Sequence, residues 1–267
     1  MHLPPGLDDL PLHRAKLEAA SAFTRTMPGV IGLVVSGSLA TGTATDAYSD
    51  LDLKVVTRDE LHDEAVEHRD ELVEACGVPV ARFTAEHVGH PDMLIVLYDD
   101  LIHVDFYLVR LGELSAKNEG MPSWVVWSQD DDIAVALGGP EDAAGVDLAW
   151  IEVRMWTWVW YTHSKILRGE LYEALDALQY LRGNVLFALL AETSGVKPYG
   201  SRRAEQHVGE LAPLFARTVP ALERNAVMDA LRATVDLYLR LADPLLEQRG
   251  VERDEDARAV VLAKLKE

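Results

Sequence analysis

The chain has 267 residues, 49% of them hydrophobic, so it is long enough to bury a sizeable core in one large domain or two small ones. Asp and Glu outnumber Lys and Arg by 44 to 25, and the formal net charge of −19 argues against a broad electrostatic surface for nucleic acid. The only cysteine, Cys76, excludes an internal disulfide and a cysteine-rich metal site, and we expect it to be a small buried side chain.

The N-terminal stretch MHLPPGLDDL has no basic region followed by an apolar run, so no secretory signal is predicted. Charged residues interrupt the longest apolar stretches before they reach the length of a membrane span. We therefore expect a cytoplasmic protein without a membrane partner.

Short strand patterns and helices alternate in the first half of the chain. Periodicity predicts helices over 8–26 and 60–76, and strands over 32–36, 51–57, 78–84, 93–98 and 101–109. The run WVVWS (124–128) is strand-like, and DDD (130–132) is expected to cap the turn that follows it. The segment GGPEDAAG (138–145), rich in Gly, is the predicted linker.

Helix dominates after residue 145. Helical patterns cover 147–168, 170–193, 202–217, 220–249 and 253–265. No internal repeat or low-complexity tract is present. The sequence therefore predicts a domain of strands and helices over residues 1–140, followed by an all-α helical bundle over 146–267.

Two like charges lie close together at the start of a mostly apolar run. Asp52 is the second residue of LDLKVV (51–56), and Asp50 directly precedes that run. Because side chains alternate along a strand, both carboxylates point to one face while Leu51 and Leu53 point into the core. Two carboxylates in one small site repel each other unless one takes up a proton or a cation binds. The pattern therefore predicts a cation site.

Two further segments complete the predicted site. Gly37 and Ser38 end the first strand, where a glycine allows close approach of a ligand and the turn amides and hydroxyl can meet phosphate oxygens. In LIHVDFYLV (101–109), Asp105 lies on the polar face with His103. Asp99 and Asp100 are assigned instead to the hairpin turn before this strand, where Asp is common.

Three carboxylates, without cysteine ligands or a metal-spaced histidine pair, favour a hard divalent ion such as Mg²⁺ over zinc. Mg²⁺ bridges carboxylates to phosphates, so this set is typical of two-metal phosphoryl or nucleotidyl transfer. His103 is interpreted either as a helper of this site or as a histidine that is satisfied by a neighbouring carboxylate.

The combination of GS (37–38), SDLDL (49–53) and VDFY (104–107) resembles the signature of the DNA polymerase β-like nucleotidyltransferase superfamily. Within it, the chain is most similar to the antibiotic nucleotidyltransferases that modify aminoglycosides and lincosamides. The resemblance implies an α+β nucleotidyltransferase domain, a mixed sheet with flanking helices, with a helical domain behind it. The motifs span about 75 residues, and the helical half matches only in general form.

The resemblance also implies roles for individual residues. Gly37 and Ser38 would hold the β- and γ-phosphates of a nucleoside triphosphate. Asp50 and Asp52 would coordinate two Mg²⁺ ions, and Asp105 would bind the catalytic metal or act as the base. Other carboxylates remain open as the base, namely Glu86, Glu113, Glu170 and Glu173.

The implied reaction moves a nucleoside monophosphate, with AMP from ATP as first choice, onto a hydroxyl of a small cationic acceptor. An aminoglycoside is the first candidate, which would make the protein an antibiotic-resistance enzyme, and a lincosamide is the second. Alternatives are a nucleotidyltransferase that modifies RNA or a protein, as antitoxin-like relatives do, and a non-catalytic nucleotide-binding regulatory module. The acidic composition disfavours the RNA alternative. The sequence leaves open whether a homodimer completes the site.

The helical half offers weaker candidates. Lys165 would reach the triphosphate by the same resemblance, against the alternative of an ordinary surface salt bridge. The roles of Arg168, Arg202 and Arg203 stay open. The tryptophans at 150, 156, 158 and 160 are expected either to stack on a ring or to fill a domain interface. Carboxylates expected to line the pocket of a cationic acceptor are Glu152, Glu170, Glu173 and Asp176.

Overall fold

The computed structural model describes residues 2–5, 7, 9–42, 46–115, 122–138, 145–195 and 200–266. Its contacts divide the chain into two units, Met1–Asp142 and Ala143–Glu267. Of the predicted linker 138–145, residues 139–144 lie outside the described residues.

Within the described residues, six strands form one mixed sheet in the order β3-β4-β5-β2-β1-β6. Strands β2 and β5 are parallel, and the other neighbouring pairs are antiparallel. The strands are β1 Val30–Ser36, β2 Leu51–Thr57, β3 Pro79–Ala85, β4 His90–Tyr98, β5 His103–Arg110 and β6 Ser123–Ser128. The predicted mixed sheet is confirmed, and the strand-like run at 124–128 is β6.

Short helices flank this sheet. They are α1 Pro11–Thr24, α2 Ser38–Thr41, α3 His62–Glu67, α4 Arg69–Ala75 and α5 Asp132–Leu137, with 3₁₀ turns at Asp59–Leu61, Glu86–Val88 and Leu111–Glu113. The predicted helix 60–76 is therefore interrupted, with His68 between α3 and α4 at φ −94° and ψ 4°. These bridge-region angles lie outside those of a regular α-helix.

The two faces of the sheet differ. On one face, Leu51, Leu53 and Phe106 pack in a core that includes Leu17 of α1 and Leu72 of α4. All five side chains are almost completely buried, as alternation in β2 and β5 requires.

On the second face, Ile133 of α5 packs with Val34, Val56 and Val109. These apolar side chains cover the face toward the end of β2 and β5. The residues that precede Val56 and Val109 on this face are polar, namely Asp52 and Lys54 in β2 and His103, Asp105 and Tyr107 in β5. The polar part of this face is where a site can form.

Strand β3 lies at one edge of the sheet. It begins at Pro79, and the side chains of Val80 and Phe83 are exposed. Arg82 lies 3.4 Å from Asp70 of α4, so the middle of this edge carries a paired charge.

The second unit is helical. Its helices in the described residues are α6 Leu148–Arg168, α7 Leu171–Leu181, α8 Phe187–Ser194, α9 Ala212–Ala216, α10 Arg224–Arg249 and α11 Glu255–Lys264. A π-helical turn, Arg182–Leu186, joins α7 to α8, so the predicted helix 170–193 is continuous but widened in the middle. No helix in the described residues is both long and apolar enough to cross a membrane.

The core of the helical unit contains Trp156, Leu178, Leu189 and Tyr238. The rings of Trp156 and Tyr238 meet edge to face, with centroids 5.9 Å apart. Trp156 is therefore a core side chain of this unit rather than one exposed for stacking on a ligand ring.

The predicted helix 202–217 is wrong. The chain there forms two 3₁₀ turns, Ala204–Gln206 and Gly209–Leu211, and then the short α9. Arg203 and Gly209 have φ values of 56° and 47°, and a residue in the left-handed region cannot continue a right-handed helix.

Gly32 allows α5 to approach the sheet closely. A Cβ atom at this position would lie 2.8 Å from the backbone oxygen of Trp127 and 2.2 Å from Cδ1 of Ile133. We predict that Gly32→Ala lowers the free energy of unfolding by about 1–3 kcal/mol because the sheet and α5 must shift. Gly183→Ala is the matched control, since nothing lies within 4 Å of a Cβ atom there. Urea denaturation should show a loss of stability for the first variant alone, and an unchanged midpoint for Gly32→Ala would contradict the prediction.

Candidate active site

The site begins at the turn after β1. Gly37 has φ 74° and ψ −147°, a conformation nearly reserved for glycine. A Cβ atom on Gly37 would lie 2.7 Å from Oδ2 of Asp52, so the backbone passes directly beside that carboxylate. Ser38 follows as the first residue of α2 and is partly exposed.

The parallel pairing of β2 and β5 brings the acidic residues together. Asp52 is the register partner of Asp105, and Ser36 of β1 is the partner of Asp52 on the other side. Neighbouring strands lie about 4.8 Å apart, so the two carboxylates share one small area of the sheet. Asp50 immediately precedes β2 and contributes its charge to the same area, as its effect on His103 shows.

Asp105 is a largely buried acid of this cluster. Its side chain is 17% exposed, and its Oδ1 atom is buried without a hydrogen-bond donor among the described residues. Nε2 of His103 lies 3.0 Å from Oδ1, so the two side chains form an ion pair when the imidazole is protonated. Oδ1 of Asp105 is therefore in contact with a side chain that can carry a positive charge.

His103 responds to this cluster of acids. Contact with Asp105 raises the pKa of His103 above its ordinary value, burial opposes the effect, and the charges of Asp50 and Asp52 add to it. Three carboxylates thus act on one imidazole, which favours its protonated form. This geometry supports the interpretation of His103 as a histidine paired with a carboxylate.

Lys54 is a cation of the site that the sequence analysis missed. It follows Asp52 by two residues in β2, so it lies on the same face of the sheet. Burial lowers the pKa of Lys54 to about 8, while the charge of Asp52 raises it. The signal was present in the sequence, because the alternation that pairs Asp50 with Asp52 also includes Lys54.

The residues fit a hard divalent cation without enclosing one. Among the described residues, no group of three or more His, Cys, Asp or Glu side chains converges closely enough to hold a metal ion by itself. The buried Oδ1 of Asp105 and the Oδ2 of Asp52 that faces Gly37 are nevertheless the oxygen donors that Mg²⁺ prefers. The donor chemistry of the aspartates therefore suits a hard divalent cation.

Lys165 belongs to the helical unit and has partners there. Its Nζ atom lies 2.8 Å from Glu170 and 2.9 Å from Glu173, and these carboxylates hold the pKa of Lys165 above its ordinary value. Glu173 also accepts a hydrogen bond from the hydroxyl of Tyr161. The predicted role of Lys165 at a triphosphate stays a prediction, and it would require these two ion pairs to open.

Glu152 is a core residue rather than a pocket residue. Its side chain is 2% exposed and accepts hydrogen bonds from Trp156, Tyr238 and the backbone N–H of Asp254. A fully bonded carboxylate inside the helical core is not available to a cationic acceptor. The expectation that Glu152 lines an acceptor pocket is therefore wrong.

The other base candidates of the N-terminal unit are at its periphery. Glu86 is exposed in the turn after β3 and accepts a hydrogen bond from Thr84. Glu113 is exposed in the 3₁₀ turn after β5 and lies 3.8 Å from Arg110. Asp105 is thus the more enclosed of these three carboxylates.

The family model described as nucleotidyltransferase domain matches residues 17–102 of the chain. The match contains Gly37, Asp50 and Asp52 and ends before Asp105. No curated protein matches the chain.

Three solved structures are similar to the chain at low identity. An aminoglycoside 6-adenyltransferase from Bacillus subtilis is 14% identical, covers 94% of this chain and 95% of its own, and gives a TM-score of 0.40. A nucleotidyltransferase-like protein from Exiguobacterium sibiricum is 14% identical, with 95% and 89% covered and a TM-score of 0.39. A STING-associated CdnE c-di-GMP synthase from Capnocytophaga granulosa is 12% identical, with 88% and 83% covered and a TM-score of 0.31.

The matched residues run from α1 to the turn before β5 and include the glycine turn and the first two aspartates. The chain therefore carries a nucleotidyltransferase domain over residues 17–102, as its motifs predict.

Proposed function

We propose that the chain transfers a nucleoside monophosphate, AMP from ATP in the first place, to a hydroxyl of a small cationic molecule such as an aminoglycoside. The observation that carries the proposal is the register of Asp52 opposite Asp105, with the backbone of Gly37 against Asp52. This arrangement places a glycine turn suited to phosphates beside two carboxylates suited to a divalent cation.

Different residues of the N-terminal unit would bind the phosphates and the metal ions. The turn at Gly37 and Ser38 would bind the β- and γ-phosphates, since no side chain at Gly37 blocks the approach. Asp50, Asp52 and Asp105 would hold two Mg²⁺ ions, which when bound stabilise the charge that develops on the phosphate oxygens. The acceptor oxygen attacks the α-phosphorus, and the bond from the α-phosphorus to the departing pyrophosphate breaks.

Asp105 is the proposed acceptor of the proton that leaves the attacking hydroxyl, unless both its oxygens serve as metal ligands. Its Oδ1 atom is buried, with Nε2 of His103 3.0 Å away, so the attacking hydroxyl would approach the carboxylate beside this imidazole. A base must lie within hydrogen-bond reach of the proton that it removes. Asp105 is also less exposed to solvent than Glu86 and Glu113.

The four acidic residues considered for binding a cationic acceptor differ in exposure and in their partners. Glu152 is buried in the helical core, and Glu170 and Glu173 are paired with Lys165. Asp176 remains exposed, beside Tyr180 and Arg182 in a surface cavity of the helical unit. An aminoglycoside stays the first proposed acceptor because of the acidic composition, and a lincosamide, with fewer amines, stays the second.

We predict that Asp52→Asn and Asp105→Asn each reduce transfer by at least about a hundredfold, because charge stabilisation at the reacting phosphate is lost. Release of pyrophosphate from ATP in the presence of Mg²⁺ and an acceptor is the measurement. Asp99→Asn, which changes an exposed turn carboxylate, is the matched control and should keep full activity. Full activity in either site variant would refute the assignment of these carboxylates.

We predict that Gly37→Ala lowers transfer by about a hundredfold, because a displaced turn misplaces the triphosphate. Gly89→Ala is the control, since it also places alanine at a positive φ, 87°, but its added methyl group meets nothing within 4 Å. Comparing kcat for the two variants at matched thermal stability separates the local clash from backbone strain. Equal loss of activity in both variants would count against a phosphate-binding turn at Gly37.

Acceptor identity is tested by offering aminoglycosides, lincosamides, tRNA and proteins with each labelled triphosphate and Mg²⁺. Transfer of label is read by mass. We expect transfer to an aminoglycoside, and binding of that acceptor should weaken with salt because exposed ammonium–carboxylate contacts are screened within about 8 Å. Transfer to RNA or protein alone would overturn the small-molecule proposal, and bound triphosphate without transfer would indicate a regulatory module.

A further inference from the structure

Lys54 occupies an unusual position for a lysine. It lies in the interior of β2, between the register partners Val34 of β1 and Tyr107 of β5, and Val56 follows it on the same face. Val34 and Val56 are completely buried, and Lys54 itself is only partly exposed. A lysine that exchanges water for such neighbours loses hydration of its ammonium group and needs a nearby negative charge in return.

Asp52 supplies that charge. It is the preceding residue on the same face of the strand, at about 6.7 Å along the chain. Burial is the larger effect and lowers the pKa of Lys54 to about 8, and the charge of Asp52 works against it. The charge of Asp52 on the same face therefore offsets part of the cost of burying Lys54.

The same region carries an excess of negative charge. Asp50, Asp52 and Asp105 act together on His103, which is itself paired with Asp105 at 3.0 Å. Two cations, one from β2 and one from β5, thus face three acids. His103 has a 42% exposed side chain, so water screens its contribution, whereas Lys54 is held within the strand.

We propose that Lys54 is the internal counter-ion of the aspartate site, and that it keeps a free divalent cation from binding until a triphosphate delivers the metal. The inference rests on the proposed nucleotidyl transfer. Lys54 is a positioning residue in this scheme, because it acts on the reaction through Asp52.

Two consequences follow from the electrostatics. A cation near Asp52 weakens the attraction of the aspartates for a second cation that arrives alone. The phosphates of a nucleotide carry enough negative charge to offset this repulsion, so metal and nucleotide should bind together.

The test measures binding of Mn²⁺ alone, by the electron paramagnetic resonance signal of the free ion. We expect Lys54→Met to bind Mn²⁺ at least about tenfold more tightly than the parent chain, because the repelling charge is gone. Lys54→Arg should bind Mn²⁺ as the parent chain does, because the charge is restored. Lys54→Gln repeats the neutral substitution with a polar side chain if the methionine variant folds poorly.

Lys16 offers a matched control. It is a lysine of the same unit with 5% exposure, paired with Asp100 at 2.9 Å and located in α1, which packs on the other face of the sheet. Lys16→Met should leave the affinity for Mn²⁺ unchanged while lowering stability. The proposal is overturned if Lys54→Met binds Mn²⁺ no more tightly than the parent chain, or if Lys16→Met shows the same gain.

A second measurement separates this inference from the proposed function. In a metal-free buffer with a chelator, the melting temperatures of Asp52→Asn, Lys54→Met and the double variant give the coupling between the two charges. We expect the double variant to melt higher than the sum of the two single effects predicts. Additive effects on the melting temperature would overturn the proposal that Lys54 is the counter-ion, whatever the Mn²⁺ binding data show.

Failure of the parent chain to bind Mn²⁺ even with ATP would instead contradict the proposed metal-dependent transfer. In that case the coupling between Asp52 and Lys54 still decides whether the lysine is the counter-ion of this site. A melting temperature that rises more with Mg²⁺ and ATP together than with the sum of each alone supports both proposals.

Discussion

The parallel pairing of β2 with β5 is the constraint on which the site depends. It places Asp52 opposite Asp105, although the two residues are far apart along the chain. A parallel pair needs a crossover connection, and here α3, α4 and the hairpin of β3 and β4 supply it. The turn before β5 is held by an ion pair, since Asp100 lies 2.9 Å from the buried Lys16 of α1. An ion pair under the sheet thus helps to set the start of the strand that carries Asp105.

Several enclosed charges among the described residues have a charged or hydrogen-bonding partner. In the first unit, Asp100 forms an ion pair with Lys16 of α1. On the other face of the sheet, Lys54 lies on the same side of β2 as Asp52. In the helical unit, the buried Glu152 accepts hydrogen bonds from Trp156 and Tyr238. The enclosed acids named here thus differ from surface acids in having specific ion-pair or hydrogen-bond partners.

Local patterns predicted much of the fold. Alternation in LDLKVV and LIHVDFYLV gave the two central strands, and the turn residues Asp99 and Asp100 gave the hairpin between β4 and β5. Periodicity failed over 202–217, where Arg203 and Gly209 take left-handed conformations that the apolar pattern does not reveal. It also could not show the π-helical turn at Arg182–Leu186, because one added residue per turn leaves the helical composition unchanged.

The site was predictable only in part. Asp50, Asp52 and Asp105 stand out as acids in apolar strands, but the sequence does not state which strands are neighbours, because pairing between distant segments is set by the whole sheet. Lys54 was overlooked although the same alternation marks it. The burial of Glu152 was not predictable from its own segment, since two of its partners, Tyr238 and Asp254, come from later in the chain.

The edge strand β3 has a consequence for how molecules of this protein meet one another. Its exposed Val80 and Phe83 would make it a template for strand addition by a neighbouring chain. Pro79 at its start lacks an N–H donor, and Arg82 introduces a charge in its middle. A net charge of −19 adds long-range repulsion between copies. Concentrated salt, which screens that repulsion, would remove one of these protections and leave the proline and the arginine as the remaining barrier to edge-to-edge association.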